Sequence, residues 1–475
     1  MIEGPPPSTL TAASCFATLR ARSWWREDVA DKRGGEFDRE PSADLYRVVA
    51  VVVVVMGHWL LSAVTFHDGR FGYDEVLAEL PYTQWLTWLF QVVPVFFVVG
   101  GYANAGSWMR QQALGGVSRG DWIRRRVSGL LGPVTAYVVV VVAVVAIWGR
   151  HADDSLVAMS TWVVSLHLWF VPVYLVMMCL TPLAVAAHRR WGLWVPASLA
   201  VATAGVDLAT RGDHLAALGM ANYVICWGAI FQLGIAWHGG ALRRPLLLAA
   251  GAAAVLASLI GLHVYPVSMI GVTGQTVQNT SPPTVALLAL ACTQAGLMVA
   301  AAPVMTNRLR RAPWPHLLRA ANDNVMSLYL WHMAPVVALA LACYPTGLLP
   351  QAAIGTDFWW RLRLVWIVVL CVTTAAELTL LWLGRSVFAQ PLPALRVPLP
   401  TSWSGPLLLV GTAAAALSLL RISAHGFAPG GHLSASTVAI FTVGIVLVAV
   451  HPTGGRHGRV VHGVSESAPL EGTST

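Results

Sequence analysis

From residue 43 onward, apolar runs of roughly 20 residues alternate with short polar connections, the length one helix needs to cross a bilayer. The runs fall at 43–64, 85–108, 130–149, 168–187, 193–209, 221–237, 244–262, 284–303, 325–343, 362–383, 405–421 and 435–451. This pattern predicts an all-α, polytopic membrane bundle of about 12 transmembrane helices. Residues 1–42 are polar, rich in Pro, Gly and Arg, and carry a Trp24-Trp25 pair. They read as a cytoplasmic tail, because the apolar core and cleavage site of a signal peptide are missing. The Gly- and Ser-rich residues 452–475 read as a disordered tail.

Composition agrees: 56% of residues are hydrophobic and 11% charged, with mean hydropathy +0.64, where a soluble domain carries about 25% charge. Net charge +8 and a pI near 9.5 could suggest nucleic acid. The basic residues, all arginine but for Lys32, instead flank the apolar runs. With the N-terminus inside, fifteen arginines fall on cytoplasmic connections and six on outer ones. The positive-inside rule then predicts an N-in, C-in topology. Five of the six cysteines lie within apolar runs and read as core, and no ligand-like spacing suggests a disulfide framework or a metal.

The first run carries two ionisable groups, Arg47 and His58, eleven positions apart. At about 100° per residue they are within about 20° of one helix face, separated by about 16 Å along the axis. Ionisable groups inside a membrane are costly and mark functional sites. The competing reading is a snorkelling arginine and an interhelical hydrogen-bonding histidine. Gly57, next to His58, leaves room for a substrate or another helix. The second run, Gln91 to Trp108, has adjacent Gly100 and Gly101, which admit close approach of a helix or a ligand. Tyr102 and Asn104 add hydrogen-bonding groups. The loop WIRRRVSGLLGP then brings Arg124, Arg125 and Arg126 to the same surface, a cluster suited to phosphate, or to topology signalling alone.

Arg47-x10-His58, PVFFVVGGYANAGSW, the arginine-rich stretch entering a Leu-Leu-x-Pro turn at Pro133, HLWFVPVYL from His167, and YLWHMAP from Tyr329 occur in one order. Together they resemble the membrane acyltransferase-3 family of O-acyltransferases, over roughly residues 43–385. Gly100 stands where that family commonly has Ser and Tyr102 where it often has Phe, and Glu377 lies inside a span rather than at its end. Residues 386–451 resemble two additional helices that some members carry. The resemblance implies transfer of an acyl group, usually acetyl from acetyl-CoA, to a hydroxyl of a cell-envelope glycan, lipid or secondary metabolite. It also implies a multi-pass protein of the bacterial plasma membrane, with acyl-CoA as substrate and no tightly bound cofactor. Donor phosphates would sit at Arg47 and Arg124–Arg126, beside Gly100, Gly101, Tyr102 and Asn104. His58 would act as general base or carry the acyl group.

His167 and His332 are candidates for the acceptor side, against interface anchoring or a packing role. Asp44 is placed to pair with Arg47 three residues on. Glu377 and Asp207 suit interhelical bonding, and Asn322-Asp323-Asn324 suits an N-cap for the ninth span. The alternative class is a secondary transporter of a small anionic solute, which the missing internal repeat disfavours.

Overall fold

The computed structural model describes residues 40–210, 213–313 and 315–454. The opening apolar run forms helix α1, Pro41–Leu61, followed by a hairpin of β1 (Ser62–His67) and β2 (Arg70–Glu75), paired antiparallel from Ser62↔Glu75 to His67↔Arg70. Then come α2 (Val93–Leu114), α3 (Arg119–Trp148), the short α4 (Asp154–Val163), α5 (Phe170–Trp191), α6 (Trp194–Ala209), α7 (Asn222–His238) and α8 (Pro245–Gly261). The chain continues through α9 (Val285–Arg311), α10 (Pro315–Trp331), α11 (Ala334–Cys343), α12 (Asp357–Leu383), α13 (Ser404–His425) and α14 (Ala435–Ala449). The protein is a helical membrane bundle. Among the described residues eight helices are long and apolar enough to cross a bilayer, nine if α10 and α11 count as one span bent by 51°. The remaining expected runs form α6, α8 and α14, which are shorter apolar helices.

Several boundaries differ from the sequence pattern. The second run opens with a 3-10 turn (Pro81–Leu86) and a single helical turn before α2 begins, where Pro94 takes a first-turn position that needs no N–H. The arginine stretch is not a loop: Arg124–Arg126 are helical, in the first two turns of α3. Ser118 caps that helix by accepting from the Asp121 N–H at 3.1 Å. Pro133 is tolerated inside it. Nor do Asn322–Asn324 cap anything, since α10 begins at Pro315 and carries them in its interior. Cys371 is exposed on the outer face of α12 rather than in the core.

The connections gather on two opposite faces. On one, the Glu75 carboxylate accepts from the Thr273 N–H at 2.7 Å, Trp88 donates to the Val267 carbonyl, and Gln351 bonds the Phe66 backbone in both directions. We call this the hairpin face. On the other, Arg189 donates to Gln112, Arg125 to Gln111, and Thr306 to Glu40. This is the arginine-rich face.

Helix α1 lies between two apolar cores. Val51, Val55 and Trp59 pack with α3, α5, α10 and α13, while Ala43 and Ala50 pack with α2, α7 and α9. Helices α2 and α7 meet at backbone distance. A Cβ on Gly101 would lie 2.1 Å from the Phe231 carbonyl oxygen, and one on Gly234 would lie 1.9 Å from that of Val98. Gly101 is therefore a helix-packing residue, which corrects its reading as part of a donor site. Gly411 and Gly444 bring α13 and α14 together in the same manner.

Candidate active site

The polar stripe of α1 faces α10, which runs parallel to it. At the arginine-rich end Arg47 Nη1 donates to Asn322 Oδ1 at 3.2 Å. Toward the hairpin face His58 Nδ1 and His332 Nε2 are 2.7 Å apart, their rings stacked at 8°. His332 occupies the break between α10 and α11, and its Nδ1 lies 2.8 Å from the Tyr329 carbonyl oxygen. A carbonyl can only accept, so Nδ1 of His332 carries the proton. In a neutral ring its Nε2 then accepts, and His58 Nδ1 donates to it. That leaves His58 Nε2 with a free lone pair. Trp59 fixes the break by donating its indole N–H to the His332 carbonyl at 3.0 Å. His332 therefore stands behind His58. This corrects its assignment to the acceptor side.

His167 sits in a 3-10 turn (Leu166–Trp169) leading into α5. Its ring lies 4.9 Å from that of His332 and edge-on to Tyr329 at 5.2 Å. Tyr329 donates its hydroxyl to the His167 carbonyl at 2.5 Å. The imidazole is buried, and neither ring nitrogen has a well-formed hydrogen-bond partner. His58, His167 and Tyr329 line a cavity of about 880 Å³, with Val54, Phe90 and Phe96 among its apolar walls. That volume suits a small-molecule ligand. The room beside Gly57 is filled by Phe90, which a Cβ there would meet at 3.1 Å. Among the described residues no group of three His, Cys, Asp or Glu side chains is disposed to hold a metal ion.

Arg47 and the Arg124–Arg126 stretch do not line the cavity; Tyr174 stands between. It stacks on Phe170 at 5.3 Å, accepts from Asn104 Nδ2 at 3.1 Å, and lies within electrostatic reach of Arg126. A Cβ on Gly100 would fall 2.6 Å from the Tyr174 ring. Glycine at that position, in place of the resembled family's serine, makes room for this tyrosine. Asn104 also donates to the Gly100 carbonyl, and Tyr102 packs against Trp237 and His238. Arg126 lies over Trp122 and close enough to Arg47, Arg110 and Arg125 for mutual repulsion, and its Nε is buried without a partner. Cations gathered in this way make this end of the bundle electropositive.

Arg124 does not belong to that group. It is 2% exposed and donates from Nη1 to the carbonyls of Val448 (2.8 Å) and Val450 (2.6 Å), and from Nη2 to the carbonyl and hydroxyl of Ser404. Its terminal nitrogens hold α13 and α14 to α3, so its assignment to a donor phosphate is corrected. Asp207 behaves as expected of an interhelical residue, accepting from Tyr265 at 2.6 Å and from the Val285 N–H at 2.8 Å. Glu377 does not: its Oε2 is buried with no hydrogen-bond partner.

The His58 and His167 imidazoles over an apolar cavity, with a cluster of arginines on the far side, make a polar site embedded in the membrane bundle. The acyltransferase-3 family, described as an acyltransferase domain, matches residues 40–382, and the chain belongs to that family. It is a multi-pass membrane acyltransferase, acting in a lipid bilayer on an acyl donor and an acceptor. No curated protein and no solved structure matches it. The match takes in α1 to α12 almost entirely and stops short of α13 and α14.

Sequence reasoning missed Asn322 as the partner of Arg47, and Tyr174. Asn322 and His332 are ten residues apart, about 80° apart on a straight helix, so no shared face announces them. Both nevertheless meet α1.

Proposed function

We propose that the protein is an O-acyltransferase that moves an acetyl group from acetyl-CoA, bound at a cytoplasmic arginine-rich face, to an acceptor hydroxyl in the cavity beside His58. The observation that carries this reading is the hydrogen-bond chain Tyr329 carbonyl–His332–His58, which leaves His58 Nε2 as a base. The acceptor hydroxyl gives its proton to Nε2 as its oxygen attacks the thioester carbonyl. The C–S bond breaks, and the CoA thiolate leaves with the proton from His58. His332 holds the His58 tautomer and shares the charge of the intermediate imidazolium, and His167 orients the acceptor. The phosphates of the donor bind Arg47, Arg125 and Arg126 as bidentate guanidinium partners. The pantetheine arm reaches His58 past Tyr174 and Asn104. A bacterial plasma membrane supplies both sides of such a reaction, cytosolic donor and envelope acceptor.

The test is His58→Gln and His332→Gln in folded, reconstituted protein, with acetyl-CoA binding and turnover measured separately. Binding is expected to persist in both. Turnover is expected to fall by about 10²–10⁴-fold in His58→Gln, the contribution of a general base, and by less in His332→Gln, whose amide still accepts from His58. Turnover of His58→Gln within about threefold of wild type would overturn the assignment.

A further inference from the structure

The two helices beyond the family match do more than border the bundle. Helix α13 contributes Ala416, Leu420, Arg421, Ser423 and His425 to the wall of the cavity that holds His58. Its height is fixed at both ends. Arg124 grips Ser404 at its start. Near its end Ser165, two residues before His167, donates to the Ile422 carbonyl at 2.9 Å, and Gly426 packs on the Trp162 backbone. Arg421 is four residues from the end of α13 and His58 three from the end of α1. At about 1.5 Å per residue they lie about 6 Å and 4.5 Å from the hairpin-face ends of their helices, and both line the cavity.

Arg421 also has no counter-charge among the described residues. Among the described residues it makes no ion pair or hydrogen bond. The other charged rim residue, Glu75, has both carboxylate oxygens engaged by Thr273. The cavity is thus apolar through its middle, basic at one rim, and ends at two histidines.

Resting on the reading of His58 as the acyl-transfer centre, we propose that Arg421 is an acceptor-recognition residue that selects an anionic amphiphile: a hydroxyl-bearing molecule with an apolar body and a carboxylate or phosphate group. The hydroxyl sits by His58, the apolar body occupies the cavity, and the anion is held bidentately by Arg421. The C-terminal helices then set which acceptor this member of the family accepts. The competing role for Arg421 is snorkelling toward lipid headgroups with no contribution to acceptor binding.

The probes are phenyl β-glucuronide and phenyl β-glucoside, which differ by a carboxylate in place of a hydroxymethyl group. Their affinities for nanodisc-reconstituted protein are read by saturation-transfer NMR titration. Wild type is expected to prefer the glucuronide by about tenfold, what one charge-assisted contact gives. Arg421→Gln is expected to bring the two within about twofold of each other, and Arg421→Lys to keep part of the preference because charge survives without the planar guanidinium. Thermal unfolding of the variants shows that the fold is kept, as expected for an exposed side chain. Equal binding of the two probes by wild type, binding of neither, or a preference that survives Arg421→Gln overturns the proposal. Binding needs no turnover. A wild type that discriminates the probes but transfers no acetyl group would therefore defeat the proposed reaction and not the recognition.

Discussion

Replacing Arg124 with Met decides whether this arginine belongs to the donor site or to the scaffold. The substitution keeps an unbranched side chain of similar length and removes four hydrogen bonds from the guanidinium. The bond to Val448 is fully buried, so its orphaned carbonyl costs about 2 kcal/mol. The other three are part-buried and water can replace them, at about 1 kcal/mol each. The gross loss is about 5 kcal/mol. Relief of a buried guanidinium with no carboxylate bound to it offsets some of this, leaving about 2–4 kcal/mol. In a chain of this size that is a fall in the unfolding midpoint of about 2–4 °C, read by a thermal melt in detergent. Proteolysis of the 384–403 connection is expected to speed up, because α13 and α14 lose their tie to α3. Acetyl-CoA affinity of the protein that remains folded is expected to stay within about twofold of wild type, since no phosphate contact is removed. An unchanged melting point together with a tenfold loss of acetyl-CoA affinity would refute this reasoning and return Arg124 to the donor site.

Two further outcomes are expected. Gly234→Ala places a methyl group 1.9 Å from the Val98 carbonyl oxygen, so α2 and α7 must part; destabilisation by about 1–3 kcal/mol, the range for overpacking, is expected in the same melt, and an unaffected melting point would deny the close crossing. Arg47→Lys keeps the charge but loses the geometry that serves both Asn322 and a phosphate; acetyl-CoA affinity is expected to fall by about tenfold, and full retention in a binding titration would assign Arg47 to snorkelling.

How much of this was legible in the chain depends on whether a feature is local. The bundle was readable because every crossing must satisfy its own backbone hydrogen bonds and therefore announces itself as a long apolar run. Arg47 and His58 were readable because eleven residues bring a helix back to the same face. Arg124, Arg125 and Arg126 were not separable, since three adjacent arginines look alike in sequence and point about 100° apart on a helix. One points to α13 and α14, one to the polar surface at Gln111, and one inward beside Tyr174. Asn322 was read as a cap because Asn and Asp favour helix starts, yet a buried asparagine facing an arginine is a tertiary fact with no local signature. The contribution of α13 to the cavity was invisible for the same reason. Arg421 looked like one more arginine at a helix end.

The parallel pairing of α1 with α10 gives these separate findings one physical cause. Antiparallel neighbours would set Arg47 against whichever residue follows a break, whereas parallel ones keep like ends together, so Asn322 meets Arg47 and His332 meets His58. Each pair shares the burden of placing a polar group in the bilayer: the arginine is held by an amide, and the histidine by a second imidazole anchored on a carbonyl. The break after Trp331 serves the second pair, because a continuous helix would bond the Tyr329 carbonyl to a backbone N–H and leave His332 Nδ1 without that acceptor. The Trp59 indole, bonded to the His332 carbonyl, replaces a partner that the break removes. On the proposed reaction, then, the helix that carries the base also fixes the break that orients it, and a substitution at Trp59 acts on His58 through His332 rather than through the cavity.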